Sequence, residues 1–202
     1  RTTCVKPAGT TSLVLGTSSG IHAWHNDYYV RRLRVGKNEP IYKYLKKNNP
    51  DLVQDEYFRP HDTAVIEIPQ SAPKNSILRT ESAFDLLKRV KKVATEWVKP
   101  GHRAGSNTHN VSATISLKAN EWDKAGKWMW DNRDTYNGLS VLPYDGGTYT
   151  QAPFEDITEK EFNKRVKLLS DVDLSNIVET TDETDLSGEL ACAGGSCEIT
   201  GL

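Results

Sequence analysis

Two stretches of this sequence have residue types and spacing suited to chemistry. The first is PAGTTS at Pro7–Ser12. Phosphate oxygens are held well by backbone N–H groups and short hydroxyls at the start of a helix. Pro7 fixes the approach of the chain, Ala8 and Gly9 let the backbone come close, and Thr10, Thr11 and Ser12 add hydroxyl donors. The stretch lacks the Gly-Lys-Ser/Thr ending of a Walker loop. On these residues alone, a capped helix start without a ligand fits as well as an anion site does. The second stretch is CAGGSC at Cys192–Cys197, in a tail with Gly188, Gly194, Gly195 and Gly201. Two cysteines on a pliable arm suit thiol–disulfide exchange. A metal site would need further Cys or His partners close by, and this tail has none.

Other reactive residue types have plainer readings. His22, His25, His61, His102 and His109 match no strong metal-ligand spacing. Cys4 reads as a small buried strand residue rather than a redox group. Trp97, Trp122, Trp128 and Trp130 fall at helical spacing and read as core. Glu155 and Asp156 precede a helix start, where the helix dipole favours carboxylates without any catalysis. No Ser-His-Asp or Cys-His arrangement for nucleophilic catalysis is present in the pattern.

The elements that must position these groups follow from periodicity. Residues 80–98 read as a helix with Ala83, Leu86, Leu87, Val90, Val93, Ala94 and Trp97 on one face, capped by Thr80 and stopped by Pro100-Gly101. TAVIEI (63–68) and VSATISL (111–117) alternate and read as strands. Residues 121–131 read as a helix capped by Asn120 with Trp122, Ala125, Trp128 and Met129 inward. GLSVL (138–142) reads as a buried strand. Thr158-Glu159-Lys160-Glu161 is a capping box opening a helix that runs to Leu169. Strands alternating with helices imply an α/β body with some parallel strands, spanning 1–169. Beyond it, 170–202 reads as a flexible acidic tail.

The chain has 202 residues, enough for one sizeable core with at most a small second unit or a tail. Its formal net charge of -1 conceals a division. Residues 170–202 hold eight acidic residues and no Lys or Arg, which leaves all 26 basic residues and 19 acidic ones in 1–169, a balance of +7. A moderately basic body suits a phosphorylated ligand. RRLR at Arg31–Arg34 is too short for the clustered stripe that nucleic acid requires. No apolar run approaches the roughly 18 residues of a membrane helix. Three cysteines do not make an extracellular disulfide framework, so a reducing, cytoplasmic setting is expected. The Asn110-Val111-Ser112 sequon is then not expected to carry a glycan. A start at Arg1, close to a motif, is read as that of a portion of something larger.

VKPAGTTSLVLGTSSGIH followed by YYVRRLRV resembles the C-terminal part of the large catalytic chain of ribonucleotide reductases, closest to the adenosylcobalamin-dependent (class II) branch. SNTHNVSATISL, NGLSVLPYDGGTYTQAPFEDIT and the terminal C-x4-C continue the resemblance in the family's order. Ala8 stands where the family often has Ser, which loses one hydroxyl and leaves the backbone donors. The resemblance implies the C-terminal part of a ten-stranded α/β barrel with a flexible tail. It implies thiyl-radical reduction of ribonucleoside di- or triphosphates to deoxyribonucleotides, with adenosylcobalamin as cofactor and no protein histidine on its cobalt. Pro7, Ala8, Gly9, Thr10, Thr11 and Ser12 would hold the substrate phosphates. Cys192 and Cys197 would re-reduce the active-site disulfide and be reduced in turn by thioredoxin or glutaredoxin. The radical cysteine would lie on an upstream segment or companion chain.

Two other readings stay open on the sequence. One is a class I reductase with a separate radical-generating subunit, although the Tyr28-Tyr29 pair lies just after the loop rather than before the tail. The other is a non-catalytic module for phosphorylated ligands, which would have no use for the tail cysteines.

Overall fold

The structure is a computed structural model that describes residues 4–144 and 149–179. In chain order its elements are α1 (Thr10–Val14), β1 (Tyr28–Gly36), α2 (Pro40–Asn48), β2 (Val53–Asp55), β3 (Thr63–Ser71), α3 (Ala83–Val93), α4 (Lys99–Gly101), β4 (Thr114–Leu117), α5 (Trp122–Asp131), β5 (Ser140–Pro143), β6 (Phe154–Asp156) and α6 (Glu159–Leu169). The described residues divide into two compact units, the first within Arg1–Trp24 and Asn75–Gly146 and the second within His25–Lys74 and Gly147–Leu202. The expected body of 1–169 thus contains two clusters of contacts. Cys192 and Cys197, with most of the expected tail, lie outside the described residues.

The first unit is built on parallel pairing. β4 and β5 pair in parallel from Thr114↔Ser140 to Leu117↔Pro143, with α5 as the crossover between them. Parallel neighbours require such a crossover, and the sequence supplies a helix of the necessary length. Val5 adds a further parallel bridge to Val111. α3 covers this layer through Ala83, Leu86, Leu87 and Val90, which meet Val111, Ala113, Ile115 and Leu117 in one core. Fully burying a side chain such as Leu87 contributes about 1.5–3 kcal/mol.

Several sequence expectations are corrected here. The N-cap of α3 is Ser82, in a reciprocal capping box with Asp85, not Thr80. Ala94–Val98 forms a π-helical turn. Its wider turn makes a three-residue step fall short of the stripe, so Val98 is buried and Trp97 is left 63% exposed. Trp122 and Trp130 are also exposed, while Trp128 and Met129 pack on the core with buried Ala125. The N-cap position of α5 is Glu121, not Asn120. β5 is not the buried strand expected: Val141 packs on the core while Leu142 is exposed, and among the described residues β5 pairs with β4 alone.

The second unit is a four-stranded antiparallel sheet in the order β2-β3-β1-β6. β1 and β3 pair over their full lengths, from Tyr28↔Ser71 to Gly36↔Thr63. Val35, Ala64 and Ile66 share a face and form a core with Leu45 of α2, Leu52 and Val53. Glu155 and Asp156 lie in β6 and, as expected, precede a helix start, since Thr158 caps α6 just beyond them. α6 opens as expected, with the Thr158 hydroxyl accepting from Glu161 N–H at 3.2 Å. The Glu161 carboxylate is drawn to Arg165 instead of returning to the cap.

Candidate functional site

The Pro7–Ser12 stretch sits in an excursion whose two ends are fixed to one strand region. On the way in, Val5 accepts from the Ser112 N–H at 3.0 Å. On the way out, the Nε2 of His22 accepts from the Thr114 N–H at 3.0 Å. That bond requires the proton of the neutral ring to lie on Nδ1, which donates to the Ser19 carbonyl at 2.9 Å. Burial holds the His22 pKa below its ordinary value against the pull of the Ser19 carbonyl, and the charge of Arg89 lowers it further. Arg89 in turn donates to the Ile21 carbonyl at 2.8 Å and is paired with Glu81. His22 is therefore a neutral structural brace.

Within the excursion the backbone makes one short helix. α1 has Gly9 at its N-cap, with no side-chain cap. It ends in a Schellman motif, with Thr17 N–H donating to Ser12 O at 2.8 Å and Gly16 N–H to Leu13 O at 3.2 Å. Gly16 takes the left-handed conformation that this motif requires, at φ +60. Gly20 is more constrained: φ is +59, and a Cβ there would lie 2.5 Å from the Lys6 carbonyl oxygen. The backbone leaving α1 is thus pressed against the backbone that leads into Pro7. Gly9, by contrast, has open space where a Cβ would be.

The loop residues divide by exposure. Pro7, Gly9 and Thr11 are exposed, and Ala8 is half-buried. Ser12 is buried, and its hydroxyl is committed to the carbonyls of Ala8 and, at 2.9 Å, Gly9. It braces the turn rather than offering a donor outward. The N–H groups of Thr10, Thr11 and Ser12 occupy the first turn, where an α-helix supplies no acceptor of its own. An anion at this loop would meet backbone donors and the Thr11 hydroxyl.

The motifs SNTHN and NGLSV are stitched together beside β4. Asn110 Nδ2 donates to Gly138 O at 2.8 Å, and Gly138 N–H returns to Asn110 Oδ1 at 3.2 Å. Asn137 Nδ2 donates to Thr108 O at 3.1 Å. A small recess lined in part by His109, Thr108, Asp134 and Tyr136 lies next to this clamp.

Other candidates take structural places. Cys4 is free and exposed, contrary to the buried expectation; its neighbour Val5 packs on the core, and adjacent residues of an extended segment face opposite ways. His25 stacks on Phe154 at 5.1 Å and meets Asp156 at 2.9 Å. His102 bonds to the Gly105 carbonyl at 2.7 Å. In RRLR the arginines turn inward: Arg32 pairs with Glu67 and Glu155, and Arg34 with Glu56. Glu67 is 4% exposed and is shared with Arg165 of α6 at 2.7 Å. The sequence reading passed over Glu56 and Glu67; the only signal of Glu67 was a charge placed inside the apolar alternation TAVIEI.

Comparison with known proteins shows what this chain is similar to. The adenosylcobalamin-dependent ribonucleoside-triphosphate reductase of Lactobacillus acidophilus is 29% identical over 205 residues, 98% of this chain and 26% of that protein. This chain is homologous to the adenosylcobalamin-dependent reductases. The enzyme of the same name from Euglena gracilis is 32% identical over 189 residues, 90% of this chain and 24% of that protein. A crystal structure of a B12-dependent (class II) ribonucleotide reductase matches with a TM-score of 0.67 and 26% identity over 81% of this chain and 22% of that one. The chain spans about a quarter of the length of these reductases. No protein-family model matches it.

Proposed function

We propose that this chain works as a segment of a class II ribonucleotide reductase that converts ribonucleoside triphosphates to deoxyribonucleotides. The observation that carries the reading is similarity to triphosphate reductases across 98% of the chain. The likeness in fold to a class II enzyme supports it. In this reading the parallel strands of the first unit belong to a ten-stranded barrel, completed by another segment that also carries the radical cysteine.

The loop Pro7–Ser12 grips the substrate phosphates. Backbone N–H groups at the start of α1 meet the oxygens, and the excess of basic residues in 1–169 favours a polyanionic substrate. Bracing by Gly20, Ser12 and His22 keeps those donors in place before the substrate arrives, which lowers the cost of binding. Cys192 and Cys197 reduce the active-site disulfide by exchange. Their two thiols become a disulfide, the active-site disulfide becomes two thiols, and a cytoplasmic thioredoxin or glutaredoxin returns the electron pair. Adenosylcobalamin supplies radical initiation in the enzymes named for it, and no described residue of this chain is assigned to hold it.

The test uses the complete protein that carries this chain, incubated with a ribonucleoside triphosphate, a dithiol and adenosylcobalamin. Deoxynucleotide formation that stops when adenosylcobalamin is omitted is expected. Absence of product, or equal product without cobalamin, would overturn the reading.

A further inference from the structure

Among the described residues four polar side chains are buried: Ser12, Arg31, Glu56 and Glu67. Three of them are satisfied. Ser12 bonds to backbone carbonyls. Glu56 accepts from the N–H groups of Phe58 and Arg59, each at 2.7 Å. Glu67 accepts from Arg32 and Arg165. Arg31 is the exception. It is 7% exposed, its Nη1 is buried with no hydrogen-bond partner, and no described carboxylate pairs with it.

The register of the sheet explains the contrast between neighbours. Arg32 lies across from Glu67 on β3, so its guanidinium meets a carboxylate on the same face. Arg31 points to the opposite face, where its cross-strand partners are Ile68 on β3 and Phe154 on β6. Its guanidinium lies over the Phe154 ring at 5.6 Å. Asp156 shares that face through its pairing with Tyr29, but its carboxylate is 2.9 Å from His25 Nε2. The Tyr29 side chain stands on Arg31's side two residues earlier, buried to 2% exposure, and burial keeps its phenol protonated above the ordinary range. Burial likewise pulls the Arg31 pKa below its ordinary value.

An unpaired buried charge is among the costliest features a fold can carry, and stacking on one ring does not replace a counter-ion. We propose that Arg31 is the receptor for an oxyanion, a phosphate or carboxylate group presented by a ligand. The guanidinium, fixed in orientation by Phe154, offers its planar fork of N–H donors, and the Tyr29 hydroxyl stands on the same face. The inference does not rest on the reductase reading, and this residue lies outside the Pro7–Ser12 loop.

The experiment measures thermal unfolding of the complete protein that carries this chain in potassium phosphate or potassium formate against potassium chloride at equal ionic strength. A saturable rise in melting temperature with phosphate or formate, beyond that in chloride, is expected, and the more effective anion identifies the ligand group. The rise is expected to vanish in Arg31→Met and to survive in Gly9→Val. The methionine variant without anion is expected to be at least as stable as the parent, since it removes the unpaired charge. Arg31→Lys keeps the charge and loses the fork, so it should need at least about tenfold more anion for the same rise. This variant keeps the test decisive if the methionine variant does not fold. A rise retained in Arg31→Met, an unshifted dependence in Arg31→Lys, or a parent chain indifferent to both anions overturns the proposal. Loss of the rise in Gly9→Val alone assigns the anion to the loop and overturns it as well.

Discussion

The backbone N–H of Thr114 donates to Nε2 of His22 at 3.0 Å, which closes the excursion that carries the candidate phosphate loop. The bond exists only while the ring is neutral. In an unfolded chain His22 takes up a proton near its ordinary pKa of 6.5, whereas burial lowers that value in the fold. Its contribution to stability is therefore complete above about pH 6.5 and is lost as pH falls from there to the lowered folded value. His22→Gln is expected to cost about 1–3 kcal/mol at pH 7.5, the range for an orphaned buried donor. Thermal unfolding of parent and variant at pH 7.5 and 5.5 checks this. A difference between them that does not shrink at the lower pH counts against the neutral brace.

Glu67 holds together three elements of the second unit, accepting from Arg32 on β1 and from Arg165 on α6. Removing one member of a buried ion pair strands the others, so Glu67→Ala is expected to cost about 3–5 kcal/mol. The exposed Lys127–Asp131 pair makes a useful control, and Lys127→Ala should leave stability unchanged within error. Chemical denaturation of both variants gives the comparison. Equal, small losses would show that the Glu67 network contributes no more than a surface pair.

Gly20 and Gly9 lie in one excursion and should answer substitution differently. Gly20→Ala meets both a positive φ and the Lys6 carbonyl, so a loss of about 1–3 kcal/mol and a displaced loop are expected. Gly9→Val has room for its side chain and should keep the fold. In the assembled enzyme, its bulk beside the first-turn N–H groups is expected to raise KM for the nucleotide and lower turnover. Steady-state kinetics with unchanged KM and kcat for Gly9→Val would remove the loop from substrate binding.

The paired change Cys192→Ser and Cys197→Ser tests the reductant arm. Multiple turnover driven by thioredoxin should stop, while one stoichiometric turnover by pre-reduced enzyme survives on the electrons held in the active site. A small dithiol should partly restore cycling, because it reaches a buried disulfide that a protein cannot. Product per enzyme is measured with each reductant. Full thioredoxin-driven cycling by the double variant would leave the cysteine pair without a redox role.

What could be read along the chain is what neighbouring residues encode among themselves. The three- and four-residue spacing of Ala83, Leu86, Leu87 and Val90 announces α3, because that spacing brings the side chains to one face of a helix. Alternation in TAVIEI announces β3, and strand–helix–strand order announces the parallel β4–β5 pair. The short strands Val53–Asp55 and Phe154–Asp156 were not legible in the same way. They are strands because β3 and β1 supply their hydrogen bonds, not because three residues can show a period.

The same limit separates the candidate sites. Sequence alone singled out Pro7–Ser12, since Gly, Pro and hydroxyl residues have local backbone meaning. Only the tertiary structure decided that the Ser12 hydroxyl turns inward, that Gly20 rests on Lys6, and that Trp97 stays in solvent. It also decided that Arg32 finds Glu67 while Arg31, one residue away, finds Phe154. In a run such as RRLR the side chains alternate between the two faces of the sheet, but what waits on each face comes from residues over thirty or a hundred positions away. Local periodicity sets the direction of a side chain; the distant segment that folds against it sets its partner and its burial.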